Sequence, residues 1–403
     1  MRIPFAKIDC GGNEARYLAE VLKGGWLTTA SKTQAFEALF GRRVGADFSC
    51  AVNSGTAALH LALEAVGIGP GDEVLVPTMT FTATAEVVRY LGADPVFVDC
   101  DLGTNCVSGE LMAEKMSARR SGVRDRKSAK RVKAVIPVHY GGQACEMDGI
   151  LDFAENFGLK VVEDAAHAFP AYCRMQNGKR GGPEKRKSIG SIGDATCFSF
   201  YANKTITTGE GGMLTTNDPE IAERVKTMRL HGIDRDIWSR YMDDRPNWEY
   251  DVVAPGFKYN MPDVAAAIGL AQLERADFFR EERERCARCY LESLADIECI
   301  DLPRVGVPMK DHAWHLFVIV LNDVSPVSRN RFIDLLSEKG IGTSVHYKPL
   351  HRMTYYRKRY GLKPGDFPNA EYIWRGCVSL PIYPSLSDLD LEYIVHNIKR
   401  ILK

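Results

Sequence analysis

An amine, a carboxylate and an imidazole recur in this chain just past the ends of apolar runs. Ala195–Phe200 reads as a buried strand, and Lys204 follows it before a Gly-rich turn holding Gly209, Gly211 and Gly212. A lone loop lysine is ordinarily exposed. One held beside a cofactor is partly desolvated, which lowers its pKa and frees its lone pair to attack a carbonyl. A second run, Leu159–Glu163, leads into Asp164 and His167, and a third, Glu73–Pro77, leads to Phe81. Near the start of the chain the short run Ser49–Val52 is followed by Ser54, Gly55, Thr56 and Ala57, and then by a segment apolar on nearly every face of a helix. Small residues at a buried helix N-terminus leave N–H groups at a positive dipole end, a natural phosphate site. N-capping by Ser54 or Thr56 is the plainer reading of the same residues.

These groups need a frame. Strands at Pro95–Asp99 and Val132–Val138, with one helix following Phe81 and running to Leu91 and another at 147–157, alternate with the runs above. That alternation predicts an α/β fold with a mostly parallel sheet covered on both faces, whose ligands bind beyond the strand C-termini. Phe81, Asp164 and Lys204 all fall at that edge. Surface helices are expected at 13–23 and 33–45, with Trp26 and Thr28 in the loop between them. Met213–Thr216 is a further strand, followed by a helix to Met228. An irregular segment, 231–256, leads to a helix opening at Pro262. A charged helix over 277–294 then connects to a smaller α+β domain. Its expected elements are strands at 315–321 and 342–346 and helices at 329–339, 366–376 and 388–401.

Composition narrows the class. Lys+Arg and Asp+Glu are equal at 52 each among 403 residues, so no global field favours nucleic acid or an anionic membrane. Two stretches are locally basic, 118–133 with eight Lys/Arg against one acid and 174–187 with six against one; both are read as solvated loops. Eleven scattered cysteines argue for a reducing compartment. Cys286 and Cys289 have no second pair to complete a metal site, and none is expected. No signal-peptide core opens the chain and no apolar run reaches the ~18 residues of a membrane span. A cytoplasmic globular protein is expected.

Several motifs together resemble the DegT/DnrJ/StrS family of sugar aminotransferases, enzymes of the pyridoxal-phosphate fold type I. They are Gly-Trp-Leu-Thr (25–28), Ser-Gly-Thr-Ala-Ala-Leu (54–59), Gly-Asp-Glu-Val (71–74), Glu-Asp-Ala-Ala-His-Ala (163–168), Ser-Phe-Tyr-Ala-Asn-Lys (199–204), Thr-Gly-Glu-Gly-Gly (208–212), Tyr-Asn-Met-Pro-Asp (259–263) and His-Tyr-Lys-Pro-Leu-His (346–351). The resemblance implies a large mostly parallel mixed-sheet domain and a smaller α+β C-terminal domain, with bounds at 1–255, 256–290 for an interface segment and connecting helix, and 291–403. It makes Lys204 the residue that carries pyridoxal 5′-phosphate and moves the proton, and Asp164 the partner of the ring nitrogen. It places His167 near the phenolic oxygen and Phe81 on the ring face. Gly55, Thr56, Ala57 and Ser199 become the phosphate cup, joined by Asn260 from the partner of a homodimer with shared sites. Trp26, Thr28, His346 and Tyr347 are implied substrate contacts.

The implied reaction moves an amino group from L-glutamate to a 4-keto nucleotide sugar, leaving 2-oxoglutarate. The 3-keto regiochemistry is the nearest alternative. Different stretches resemble UDP-sugar and GDP-sugar branches of the family, which leaves the nucleotide open. A cysteine desulfurase of the same fold would need a nucleophilic loop cysteine beside a histidine, and no cysteine here has that setting.

Overall fold

The computed structural model describes residues 2–122, 131–176, 184–234 and 250–403. Seven strands form the main sheet: β1 (Phe48–Val52), β2 (Asp72–Pro77), β3 (Asp94–Val98), β4 (Arg131–Val135), β5 (Lys160–Asp164), β8 (Ala195–Ser199) and β9 (Gly212–Thr216). Between β5 and β8 lies a separate hairpin, β6 (Tyr172–Gln176) with β7 (Glu184–Ser188). The sheet order is β1-β9-β8-β5-β4-β2-β3, and β9 runs against both of its neighbours while the other pairings are parallel. Such strands are covered on both faces, so they read as continuous apolar runs rather than alternating ones; every residue of β3 and β9 is buried.

The helix Gly55–Ala65 lies against β5, β8 and β9, with Ala57 through Leu63 all buried. Its N-terminus points to the strand C-terminal edge. The helices Met147–Phe157 and Pro219–Met228 start on side-chain caps from Glu146 and Asp218.

The helix Ala276–Leu294 leads away from this body. A second apolar core gathers around Tyr290, Trp314, Phe317, Phe332 and Ile394 and takes in Ile3 from the chain start. It contains an antiparallel sheet, β10 (Ile300–Asp301), β11 (Phe317–Leu321) and β12 (Cys377–Leu380), with helices Arg329–Glu338 and Asp388–Leu402.

Two local expectations change. The expected strand at 342–346 is irregular. Ile341 bridges to Ile3 and Ser344 to Ser379, so the segment answers to two different partners and builds no ladder. The second basic stretch is not simply a loop, since its ends pair as β6 and β7. Arg186 lies over the Tyr172 ring at 3.5 Å and donates to the buried carboxylate of Asp311 at 2.6 Å, which turns part of the charge inward. The remainder of that stretch, and most of 118–133, lies outside the described residues.

Candidate active site

A cavity of about 330 Å³ opens at the C-terminal ends of β2, β5 and β8. Its lining includes Lys204, Asp164, His167, Phe81, Ser199, Gly55, Thr56, His346 and Tyr347. Four of its segments, those after β1, β2, β5 and β8, meet there because strands running the same way deliver their C-terminal ends to one edge, and His346 and Tyr347 join them from the C-terminal part of the chain.

The phosphate end follows from helix geometry. Ser54 is extended (φ −165°, ψ 159°) and its Oγ accepts from the Ala57 N–H at 3.1 Å, while Ala58 N–H bonds to the Ser54 carbonyl. That leaves the Gly55 and Thr56 N–H groups without helical partners at the positive end of the helix. Ala57 is therefore buried behind the rim, with its N–H already taken. Gly55 is required by close approach: a Cβ there sits 2.9 Å from Ser199 Cβ. The Ser199 hydroxyl accepts from Tyr201 N–H and keeps its own proton to give.

At the other end stand Lys204 and Asp164. Burial lowers the Lys204 amine from 10.5 to about 8, against the opposing pull of the Asp164 charge. Asp164 is pushed upward by burial. The Thr84 hydroxyl, the Ala166 N–H, Lys204 and His139 all oppose that push. Its Oδ2 accepts from Thr84 at 2.8 Å and its Oδ1 from Ala166 at 3.1 Å. Next to it on β5, Glu163 is fully buried and accepts from Gly193, Thr196 and His139, which anchors the strand end.

His167 is held neutral. Burial, then Lys204 and His346, drive its pKa well below the usual imidazole value. Its Nδ1 accepts from the Gly141 N–H at 3.3 Å, so the ring proton sits on Nε2, which lies 2.9 Å from the Tyr347 hydroxyl. His315 packs on the same ring, centroids 4.5 Å apart. His346, lowered to about 4 mainly by burial, bonds through Nδ1 to Ser379 and packs on Phe5. Phe81 is 58% exposed despite its size, as expected of a ring whose packing partner is a ligand.

Besides Ala57, three anticipated residues do not line this cavity. Asn260 donates to Thr29 Oγ1 at 2.6 Å and accepts from Lys258 at 2.6 Å, and it does not cap the helix Asp263–Glu274. Trp26 bonds weakly to the Thr29 carbonyl, and Thr28 is exposed nearby. Asp263, the last residue of the Tyr-Asn-Met-Pro-Asp motif and given no role there, ties this group together. Its carboxylate accepts from the N–H groups of Ala30, Lys32 and Thr33, capping the helix Ser31–Val44 from across the fold. Of the residues missed inside the cavity, Leu59, Tyr201 and Glu210 lie within the motifs at 54–59, 199–204 and 208–212 but had no role of their own there, and Thr80 belongs to no motif.

The profile of the DegT/DnrJ/EryC1/StrS aminotransferase family matches residues 9–399. The chain belongs to this family. It is 44% identical over 393 residues to an uncharacterised protein of Methanocaldococcus jannaschii, covering 97% of this chain and 95% of that one. It is 42% identical over 404 residues to the spore coat polysaccharide biosynthesis protein SpsC of Bacillus subtilis, covering 100% and 97%. A Streptococcus pneumoniae protein assigned as a sugar aminotransferase, Spr1654, superposes with a TM-score of 0.83 at 30% identity, over 100% of this chain and 98% of the other. It has been solved in PLP, PMP and apo forms. The aminotransferase is thus an α/β protein of the expected type, with a large mostly parallel mixed sheet.

The residues present fit pyridoxal phosphate. The open helix N-terminus and Ser199 suit a phosphate, the Gly55 cradle lets it approach, and Lys204 with Asp164 supplies an attacking amine and an anion. No helix among the described residues is long and apolar enough to cross a membrane.

Proposed function

We propose that this aminotransferase moves the amino group of L-glutamate to C4 of a 4-keto nucleotide-linked deoxysugar, releasing 2-oxoglutarate. One observation carries the reading: the softened amine of Lys204 and the buried carboxylate of Asp164 share one cavity with an open helix N-terminus. The cofactor is pyridoxal phosphate. When bound it stores the amino group between the two half-reactions and withdraws electrons from bonds at the reacting carbon.

The protein's own groups divide the remaining work. Gly55 and Thr56 N–H groups and the Ser199 hydroxyl hold the phosphate. Asp164 would pair with the ring nitrogen and keep it protonated, and Phe81 would shield the ring from water. Lys204 would supply the amine that holds the cofactor and, when free, would take and return the proton at the substrate carbon. An amine near 8 can do both, since it releases and regains a proton close to neutral pH. His167, neutral and fixed by Gly141, holds the Tyr347 hydroxyl at the cavity wall. His346 and Tyr347 are assigned to the sugar.

Likeness to a polysaccharide biosynthesis protein and to a protein assigned as a sugar aminotransferase supports a sugar acceptor, for a surface polysaccharide, glycan or natural product. In this reading residues 1–255 form the cofactor-binding body, 256–290 the interface segment and connecting helix, and 291–403 the smaller domain. Asn260, Trp26 and Thr28 stand outside their own cavity on one Asp263-clamped patch, which supports their service to a partner's site in a homodimer. Eleven free thiols support a cytoplasmic setting.

The test supplies purified protein with 15N-glutamate and a panel of 4-keto and 3-keto UDP-, dTDP- and GDP-sugars. Label is expected in the 4-amino product. Label in 3-keto sugars alone overturns the C4 assignment, and label in none of them overturns the sugar reading.

A further inference from the structure

The cavity wall behind Asp164 carries two threonines that no step above uses. Thr80 precedes the helix Ala83–Tyr90 and Thr84 lies in its first turn, four residues on, so both hydroxyls fall on one side. Both are buried, at 2% and 0% exposure. Thr80 Oγ1 and Thr84 Oγ1 are 2.8 Å apart, and Thr84 Oγ1 is 2.8 Å from Asp164 Oδ2.

A hydroxyl has one proton to give. If Asp164 is ionised, it accepts only, so Thr84 donates to it and Thr80 donates to Thr84. The reverse order requires a proton on Asp164. The Ala166 N–H donates to Oδ1 in either order, but a donor on each oxygen of the carboxylate favours the anion. The titratable groups facing the carboxylate are Lys204 after β8, His139 after β4, Cys197 on β8 and Tyr347. Of these, Lys204 favours the anion most strongly when charged. Burial favours the acid, and it is the largest single influence on this group.

We propose that Thr84, backed by Thr80, is a positioning residue that holds Asp164 ionised and fixes which way its carboxylate faces. With one bond on each oxygen from the protein side, rotation of the carboxylate breaks both. Its remaining lone pairs stay directed at the cavity. The inference rests on Asp164 as the ring-nitrogen partner only for its consequence in catalysis; the ionisation itself belongs to the chain.

The test compares wild type, Thr84→Val and Thr84→Ser as full-length protein freed of cofactor and labelled with 13C at aspartate carboxyls. The Asp164 resonance is assigned by its absence in Asp164→Asn. Valine matches threonine in shape, so a packing role leaves the titration unchanged. The expected result is an Asp164 midpoint raised by about one pH unit in Thr84→Val, a tenfold change in its dissociation constant, with Thr84→Ser returning to wild type. At a pH below both midpoints, pyridoxal phosphate added back is expected to bind about tenfold more weakly to Thr84→Val. A Thr84→Val midpoint equal to wild type overturns the proposal, as does a Thr84→Ser midpoint that follows valine. A raised midpoint with undiminished cofactor affinity upholds Thr84 and instead overturns the pairing role of Asp164.

Discussion

Asp263 offers a measurable test of how the outer patch is built. Its Oδ1 accepts from Ala30 N–H at 2.8 Å, Thr33 N–H at 2.9 Å and Thr33 Oγ1 at 2.7 Å, and its Oδ2 accepts from Lys32 N–H at 3.0 Å. Asp263→Ala strands two donors, on Ala30 and Thr33, that are 1% and 0% exposed. Each costs about 1–3 kcal/mol, and the anion's interaction with the helix end adds several tenths more. Lys32 is only half-buried, so water replaces its partner at little cost. The loss is about 3–5 kcal/mol, which for a chain this long corresponds to about 1 °C of Tm per kcal/mol. Asp263→Asn keeps the Oδ1 acceptor but turns an amide N–H₂ against Lys32 N–H, costing about 1–2 kcal/mol. Thermal melts of the cofactor-loaded proteins should therefore rank wild type, Asn, Ala, with Ala about 3–5 °C down. Loss of under 1 °C in Asp263→Ala, or equal loss in both variants, would refute the clamp.

Four further outcomes are expected. Borohydride should fix pyridoxal phosphate to Lys204, located by peptide mass, and Lys204→Ala should lose both the adduct and turnover while still binding cofactor. Asp164→Asn should still fill with cofactor at saturating pyridoxal phosphate, though with weaker affinity, and drop kcat by at least about a hundredfold, since an amide no longer favours the protonated ring; near-normal kcat would point to another partner. Without cofactor, Lys204 destabilises the fold, because the unfolded chain binds a proton the folded chain releases between about 8 and 10.5. Lys204→Met should thus stabilise the cofactor-free protein by up to about 3 kcal/mol below pH 8, the gain fading toward pH 10.5 in urea titrations. Finally, mixing Lys204→Ala with Asn260→Ala should restore activity above either parent once subunits exchange; exchange shown by mass with merely averaged activity would place Asn260 in its own subunit's site.

What the sequence by itself determined is the part of this protein set by short range. Because burial on both faces leaves an uninterrupted signal, apolar runs marked most sheet strands within a residue or two; Val132–Val138 was drawn three residues long at its C-terminal end, and β10 and β12 were not foreseen. Ser54 capped its helix as its type foretells, and Lys204, Asp164 and Phe81 were placed at one edge because chain order alone says which residues follow parallel strands. The β6–β7 hairpin escaped because its lysines and arginines look solvated until Asp311, more than a hundred residues on, supplies a buried partner. The expected strand at 342–346 failed for a related reason: Ile341 and Ser344 are claimed by different partners, a competition invisible in local composition. Tertiary structure also decided that Ala57 lies behind the phosphate rim, that Thr80 and Thr84 line up behind Asp164, and that Asp263 caps a helix over two hundred residues earlier. Hydrogen-bond partners brought together by chain closure have no fixed spacing in sequence, so only the fold reveals them.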